Sequence, residues 1–224
     1  MLAKDDALGY RAKTVTLHVP QRETAAEADH RIANSLMLVT SLLRTHAKEL
    51  ARRPVVTGAD ARNALDEAAA RIDAISELHR MIASSSENAL DAATYIRRIG
   101  DAAGRFGLTG GIVNLKYDLA EDLSIDPSRL AALGMLTSEA LINALKHAHP
   151  AGVPGEILVS CRKIGVECVL VVEDDGVGLP DGFSPATDGG LGFRTMRQLA
   201  LQLRARMSHQ STPLGLRTEV LFAL

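Results

Sequence analysis

Apolar spacing divides this 224-residue chain in two, and that division limits the fold more than any other feature. From about residue 22 to 105, apolar side chains recur at intervals of three and four, the period of a helix. After Gly110-Gly111, stretches that alternate or run in short apolar blocks, as strands do, are interleaved with helical ones. Over about 22–52, Ile32, Leu36, Val39, Leu43 and Leu50 form one stripe. His30, Asn34, Met37, Ser41 and Thr45 lie on another, mostly polar face. The segment ARRPVVTGAD (51–60) breaks that helix with a Pro and a Gly. A second run over about 61–84 carries Leu65, Ala68, Ile72, Ile75 and Ile82, with Leu78 beside them. Two long helices joined by a short connection read as an antiparallel hairpin. Its uncovered seam would pair with a second copy into a four-helix bundle. SSSEN (84–88) is a joint, and a short helix follows at about 91–105.

In the second half, IVNLKYDL (112–119) reads as a strand, and 126–148 as a helix that opens with Asp126 and Pro127 and ends at His149-Pro150. GEILVSCRK (155–163) and VECVLVVED (166–174) form a strand pair about Ile164-Gly165. A Gly-rich loop, a helix at about 190–205 and a closing strand at 217–224 complete the chain. The expected fold class is therefore α+β, a helical hairpin followed by a mixed α/β layer, with the boundary near 88–92. Residues 13–19 alternate through Val15, Leu17 and Val19, a strand signal without an obvious partner.

Composition narrows the functions. With 46% hydrophobic and 23% charged residues the chain has an ordinary globular balance. Aromatics are 3% and Trp is absent, which leaves no stacking platform for single-stranded nucleic acid; 25 basic against 27 acidic residues give no nucleic-acid footprint either. No apolar run approaches the roughly 18–20 residues that span a bilayer, and MLAKDDALGYRAK has no apolar signal core, so the expected location is cytoplasmic. Cys161 and Cys168 flank a short turn and are expected as reduced thiols. His46 and His79 sit near apolar stripes and read as packing or surface residues, and His18, His149 and His209 are not spaced as metal ligands.

Four spaced elements carry candidate chemistry. Glu139, Asn143, Lys146 and His147 recur at i, i+4, i+7 and i+8 on one helical face, a set that suits a magnesium–phosphate ligand. Asp174-Asp175-Gly176-Val177-Gly178 ends a very apolar strand, where glycines permit close approach. Gly189-Gly190-Leu191-Gly192 opens a helix whose N–H groups can face an anion. Gly215-Leu216-Arg217-Thr218 leads into the last strand. Taken singly, each also reads as a polar helix face, an acidic turn or a flexible loop. The specific signal is the ordered set.

That set resembles the nucleotide-contacting boxes of the GHKL ATP-binding domain, the catalytic half of sensor histidine kinases. Upstream, Asp29-His30-Arg31-Ile32-Ala33-Asn34-Ser35-Leu36 resembles the phosphoacceptor motif of the HWE-related histidine kinases, and RIDAISELHRMI (71–82) resembles that subfamily's second helix. The resemblance implies a division into an N-terminal extension (1–21), a dimerisation and phosphotransfer hairpin (22–90) and an α/β-sandwich ATP-binding domain of GHKL type (91–224). It implies that His30 is phosphorylated, that Asn143 holds Mg²⁺ with Glu139 beside it, and that Lys146 and His147 face the phosphates. Asp175 would accept from the adenine amino group, Gly176 and Gly178 would leave room for the base, Gly190 and Gly192 would border the triphosphate, and Thr218 would sit near the adenine. Asp29 or Glu27 would polarise His30, and Asn34, one turn on, would orient a water for dephosphorylation.

The implied activity is that of an ATP- and Mg²⁺-dependent protein-histidine kinase of a two-component system, passing its phosphoryl group to a response-regulator receiver domain. A homodimer through the hairpin and a separate sensor protein are the other implied partners. The alternatives are a histidine phosphotransferase without ATP use and a non-catalytic GHKL binding module. Some positions depart from the pattern: Ala33 and Ser35 stand where the motif has Lys and Asn, and the W-x-E signature is absent from Val171-Val172-Glu173. Only 11 residues separate Gly178 from Gly190, a short lid that implies weak nucleotide retention.

Overall fold

A computed structural model describes residues 54–84, 90–107, 113–121, 123–150 and 152–224, together with Thr40, Leu43, Arg44, Ala47, Lys48, Leu50 and Ala51, which are helical. The strand expected at 13–19 and the residues Glu27, Asp29, His30 and Asn34 lie outside the described residues.

Helix α1 (Gly58–Ser84) begins three residues before the sequence pattern places it. A reciprocal cap explains the early start. Thr57 Oγ1 accepts the Asp60 N–H at 3.1 Å, and Asp60 Oδ2 accepts the Thr57 N–H at 3.0 Å. The expected stripe of α1 divides between two faces. Ala68, Ala74, Ile75 and Met81 are buried, whereas Leu65 is 70% and Ile72 44% exposed. The small alanines let α1 lie close against its neighbour.

That neighbour is the second half of the chain. A short ribbon of β1 (Leu90–Asp91) and β3 (Ser124–Ile125) brackets helix α2 (Ala92–Gly107) and strand β2 (Val113–Leu119). Asp91 caps α2, accepting the Thr94 N–H at 2.9 Å. Tyr95 of α2 is fully buried, and its hydroxyl donates to the Ala74 carbonyl of α1 at 3.0 Å. Burial raises the Tyr95 pKa far above its ordinary value, so the phenol stays a donor. Nearby, burial would raise the Glu77 carboxyl, yet the guanidinium groups of Arg98 and Arg80 hold it below its ordinary range. Ala74, Ile75 and Met81 thus share one apolar core with α2 and with helix α3 (Pro127–His147).

The main sheet has five strands in the order β2-β4-β5-β7-β6: β4 (Gly155–Ile164), β5 (Glu167–Asp174), β7 (Gly215–Ala223) and β6 (Arg206–Thr212). The β2–β4 pair is parallel, with α3 lying between the two strands in sequence; the other pairs are antiparallel. Alternate residues face the helices: Ile157, Val159 and Cys161 on β4, Cys168, Leu170 and Val172 on β5, Val220 and Phe222 on β7. The thiols of Cys161 and Cys168 are free and buried, their sulfurs 3.5 Å apart. The other sheet face carries ion pairs, Lys116–Glu156, Arg162–Asp118, Arg217–Glu173 and Arg206–Glu167 among them.

Strand β6 was not expected. Its sequence, RMSHQST, is polar and shows little apolar alternation because it is an edge strand with β7 as its partner. Helix α4 (Leu191–Leu203) lies within the helix expected at 190–205 and packs Met196, Leu199 and Leu203 into the core.

Candidate nucleotide site

A cavity of about 630 Å³ opens where α3, the end of β5, the start of α4 and the start of β7 converge. That size suits a small-molecule ligand. Its wall collects residues far apart in sequence for reasons each element makes plain. On α3, one face is taken up by the core through Leu133, Leu136, Ala140 and Ala144. The remaining face brings Glu139, Asn143, Lys146 and His147 to the cavity, as the i, i+4, i+7, i+8 spacing requires. Glu139 is buried and Asn143 partly so.

Asn143 Nδ2 is buried with no hydrogen-bond partner among the described residues. Such a group is costly unless a ligand meets the amide. The side chain stands against the opening of α4: a Cβ on Gly192 would lie 2.9 Å from Asn143 Oδ1. Gly190 caps α4 with no side-chain hydrogen bond, so the first N–H groups of this helix meet the cavity without a capping oxygen. The orphaned Nδ2 donor and the uncapped helix N-terminus suit phosphate oxygens, and the amide oxygen of the same side chain is of the kind that suits Mg²⁺. Mg²⁺ needs few protein ligands because it keeps waters and takes phosphate oxygens. No cluster of three His, Cys, Asp or Glu suited to a metal exists among the described residues.

Of the two aspartates at the end of β5, it is Asp174 that lines the cavity, beside Glu139 and Asp60 from the helices, and not Asp175 as expected. The reason is strand parity. Cys168, Leu170 and Val172 face the helix layer, so Asp174, two residues on, faces it too, and Asp175 turns away. Asp174 is 7% exposed, and its Oδ1 accepts the N–H groups of Gly176 at 3.0 Å and Leu216 at 3.2 Å. No hydrogen bond reaches Oδ2 among the described residues. Burial pushes its carboxyl above the ordinary value, against the pull of those two N–H groups and of His149. Asp175 lies outside the cavity. Its Oδ1 accepts the Glu156 N–H at 2.8 Å and meets His149 Nε2 at 2.8 Å, and despite partial burial these contacts hold its carboxyl below the ordinary value.

Two further expectations shift. Gly176 does not line the cavity; it is packed against the end of α3, where a Cβ would come within 2.5 Å of Ala148 Cα. Gly178, at φ 67°, does line it. Thr218 is buried behind the cavity, its Oγ1 3.0 Å from His209 Nδ1, and Leu216 lines the cavity in its place. Burial lowers the His209 pKa. The sequence reading also missed the hairpin's share of the wall. Leu50, Asp60 and Ala64 reach the cavity, and so do Phe183 and Phe193, whose ring centroids are 6.0 Å apart. No local motif marks those residues; only the docking of α1 against α3 brings the hairpin there.

This architecture, a layer of helices on a mixed sheet with one cavity between α3 and the turn after β5, is that of a GHKL-type ATP-binding domain preceded by a helical segment. Residues 129–224 match the family model described as histidine kinase-, DNA gyrase B-, and HSP90-like ATPase, and residues 27–105 match the model described as histidine kinase. The chain belongs to the histidine kinase family. It is 30% identical over 182 residues to the sensor histidine kinase PdtaS of Mycobacterium tuberculosis, covering 79% of this chain and 34% of that protein. It is 28% identical over 190 residues to the blue-light-activated histidine kinase 2 of Erythrobacter litoralis, covering 82% of this chain and 52% of that one. The chain thus spans between about a third and a half of these relatives. Its fold is shared with the histidine kinase domain of the Erythrobacter litoralis EL346 blue-light activated histidine kinase. The TM-score is 0.64 at 24% identity, over 82% of this chain and 95% of that domain. A second structure of that kinase superposes with a TM-score of 0.73 over 91% of this chain and 62% of that chain. No helix among the described residues is long and apolar enough to cross a membrane.

Proposed function

We propose that this chain is an ATP-dependent protein-histidine kinase that phosphorylates itself on His30 and passes the phosphoryl group to an aspartate of a response-regulator receiver domain. The observation that carries the reading is the convergence of a buried carboxylate, an unpartnered amide and an uncapped helix N-terminus on one cavity. Those groups suit the three parts of ATP. Asp174 Oδ2 accepts from the amino group of the base, Asn143 holds Mg²⁺ with Glu139 beside it, and the Gly190–Gly192 turn, with Lys146 and His147, receives the phosphates. Gly176 and Gly178 keep the base-facing turn thin, and Thr218 backs it through His209. Mg²⁺, when bound, neutralises phosphate charge.

The transfer itself needs little covalent help from the protein. A neutral imidazole nitrogen of His30 attacks the γ-phosphorus in line. The N–P bond forms as the bond to the bridging oxygen breaks, and ADP leaves. The imidazole proton passes to Asp29 or Glu27. Asn34 orients a water that dephosphorylates the partner regulator, attacking the phosphorus of its phosphoaspartate so that the carboxylate and inorganic phosphate are released. The division into 1–21, 22–90 and 91–224 separates this hairpin from the ATP-binding half. A homodimer through the hairpin is supported by the exposed Leu65 and Ile72 of α1. A separate sensor protein is a further partner, and the setting is the cytoplasm. The short segment between Gly178 and Gly190 favours weak nucleotide retention.

Incubation with γ-labelled ATP and Mg²⁺ tests the proposal in wild type, His30→Ala and Asn143→Ala. Acid-labile, base-stable label that both substitutions abolish is the expected result. Wild-type protein that binds nucleotide but takes up no label points instead to a binding module. Protein that binds no nucleotide points to a phosphotransferase without ATP use.

A further inference from the structure

The turn that follows β5 is held from outside the cavity, and the holder is a histidine that the nucleotide chemistry does not use. Two backbone contacts fix the turn: the Val177 N–H donates to Ala148 O at 3.0 Å, and the Asp175 N–H donates to Glu156 O at 3.2 Å. Two more run through the Asp175 carboxylate, whose Oδ1 accepts from the Glu156 N–H and from His149 Nε2, each at 2.8 Å. Ala148 and His149 are the first residues after α3. The helix that carries Asn143 is thereby tied directly to the turn that carries Asp174.

The His149 ring is an odd choice for packing alone. Its side chain is only 10% exposed, while its partner Asp175 is 58% exposed. The ring lies flush on Gly155, where any Cβ would overlap it. A carboxylate can only accept, so Nε2 carries the proton in this contact. Nδ1 is then left buried with no partner among the described residues. A buried polar atom without a partner costs stability, and a phenyl ring would fill the same space without one. What the imidazole adds over a phenyl ring is the Nε2–H bond to Asp175.

We propose that His149 is a positioning residue for nucleobase recognition: by clamping Asp175 to the end of α3, it fixes the turn that presents Asp174 Oδ2 to the base. This rests on the nucleotide reading of the cavity. The clamp touches neither base nor phosphate. It sets where the neighbouring carboxylate stands, and so acts on discrimination between an adenine and a guanine, which place an amino group and a carbonyl at the same ring position.

The test uses the full chain, with ATP and GTP dissociation constants measured in Mg²⁺ for wild type, His149→Phe, His149→Gln, Asp175→Ala and the double variant His149→Phe/Asp175→Ala. Losing one hydrogen bond to a charged group predicts roughly tenfold weaker ATP binding in His149→Phe. GTP binding is expected to change little, so the preference for ATP falls. His149→Gln, which restores an N–H donor, should recover most of the loss, and the double variant should be no worse than the weaker single one. ATP binding in His149→Phe within twofold of wild type overturns the inference. So does an equal loss of ATP and GTP that tracks a lower melting temperature, since that marks a purely structural role. Wild-type protein that binds neither nucleotide brings down the reading of the cavity and this inference together. Intact wild-type binding with an indifferent His149→Phe brings down this inference alone.

Discussion

Replacing Asp174 by Asn separates what this carboxylate does for the ligand from what it costs the fold. Its Oδ1 accepts two backbone N–H groups, from Gly176 and Leu216, and an amide oxygen in the same place can keep both. The change falls on Oδ2, where an acceptor becomes an NH₂ donor facing the donor of the base. A hydrogen bond to a charged group is worth about 1.5–3 kcal/mol, and a mismatched donor adds its own desolvation. A loss of about 2–3 kcal/mol corresponds to nucleotide binding roughly 30- to 150-fold weaker. Stability moves the other way. Burial raises the Asp174 pKa above its unfolded value, so near neutral pH the ionised group opposes folding, and that opposition fades as pH falls through the raised value. An uncharged Asn removes it at every pH, so the ligand-free variant should be as stable as wild type or more so. Calorimetric titration with Mg–ATP and urea unfolding of the free protein read the two effects. Asp175→Asn is the control: that residue lies outside the cavity and keeps an oxygen acceptor, so affinity should stay within about threefold. A larger loss in Asp175→Asn than in Asp174→Asn would refute the parity argument that points Asp174 at the ligand.

Three further substitutions probe the supports of the site. Gly176→Ala drives a Cβ into the Ala148 backbone, which cannot step aside, and should lower unfolding stability by at least about 2 kcal/mol in urea; an unchanged midpoint would mean the turn does not lie against α3. Tyr95→Phe deletes the buried hydroxyl that donates to Ala74 O and should cost about 1 kcal/mol, with faster amide exchange along α1 if that bond ties the hairpin to the core. His209, whose folded pKa is lowered by burial, stays neutral while the unfolded chain takes up a proton near pH 6.5, so it contributes a loss of stability as pH falls from about 7 toward 5. In His209→Gln that loss should shrink, as read from melting temperatures at the two pH values.

The parts of this molecule that show in its sequence are those where one local rule decides. The helical spacing of Glu139, Asn143, Lys146 and His147 survives intact in α3, because one helical face is enough to bring them together. The choice between Asp174 and Asp175 was also decidable locally, since alternation from Cys168 through Val172 reaches Asp174 on the core-facing side. What local patterns miss depends on packing between distant segments. β6 has no apolar signature of its own and exists because β7 supplies its hydrogen bonds. Leu65 and Ile72 look like seam residues but are exposed, whereas Ala74, off the expected stripe, is buried because its small side chain lets the helix come close enough for the Tyr95 hydroxyl to reach its carbonyl. Leu50, Asp60 and Ala64 reach the cavity only through that docking. The Asp175–His149 clamp joins residues 26 positions apart, and no motif joins them.

Whether the cavity between α3 and the turn after β5 is where ATP sits can be read residue by residue. Isotope-labelled protein titrated with Mg–ADP should show saturable NMR shifts at the Asn143 side-chain amide and at the backbone amides of Gly176, Val177, Gly192 and Leu216. Asp118 and Arg162, on the opposite face of the sheet, should stay still. Shifts centred elsewhere, for example along the groove between residues 181–186 and Met207–Ser211, or no saturable shift at any of these amides, would contradict the placement of the nucleotide.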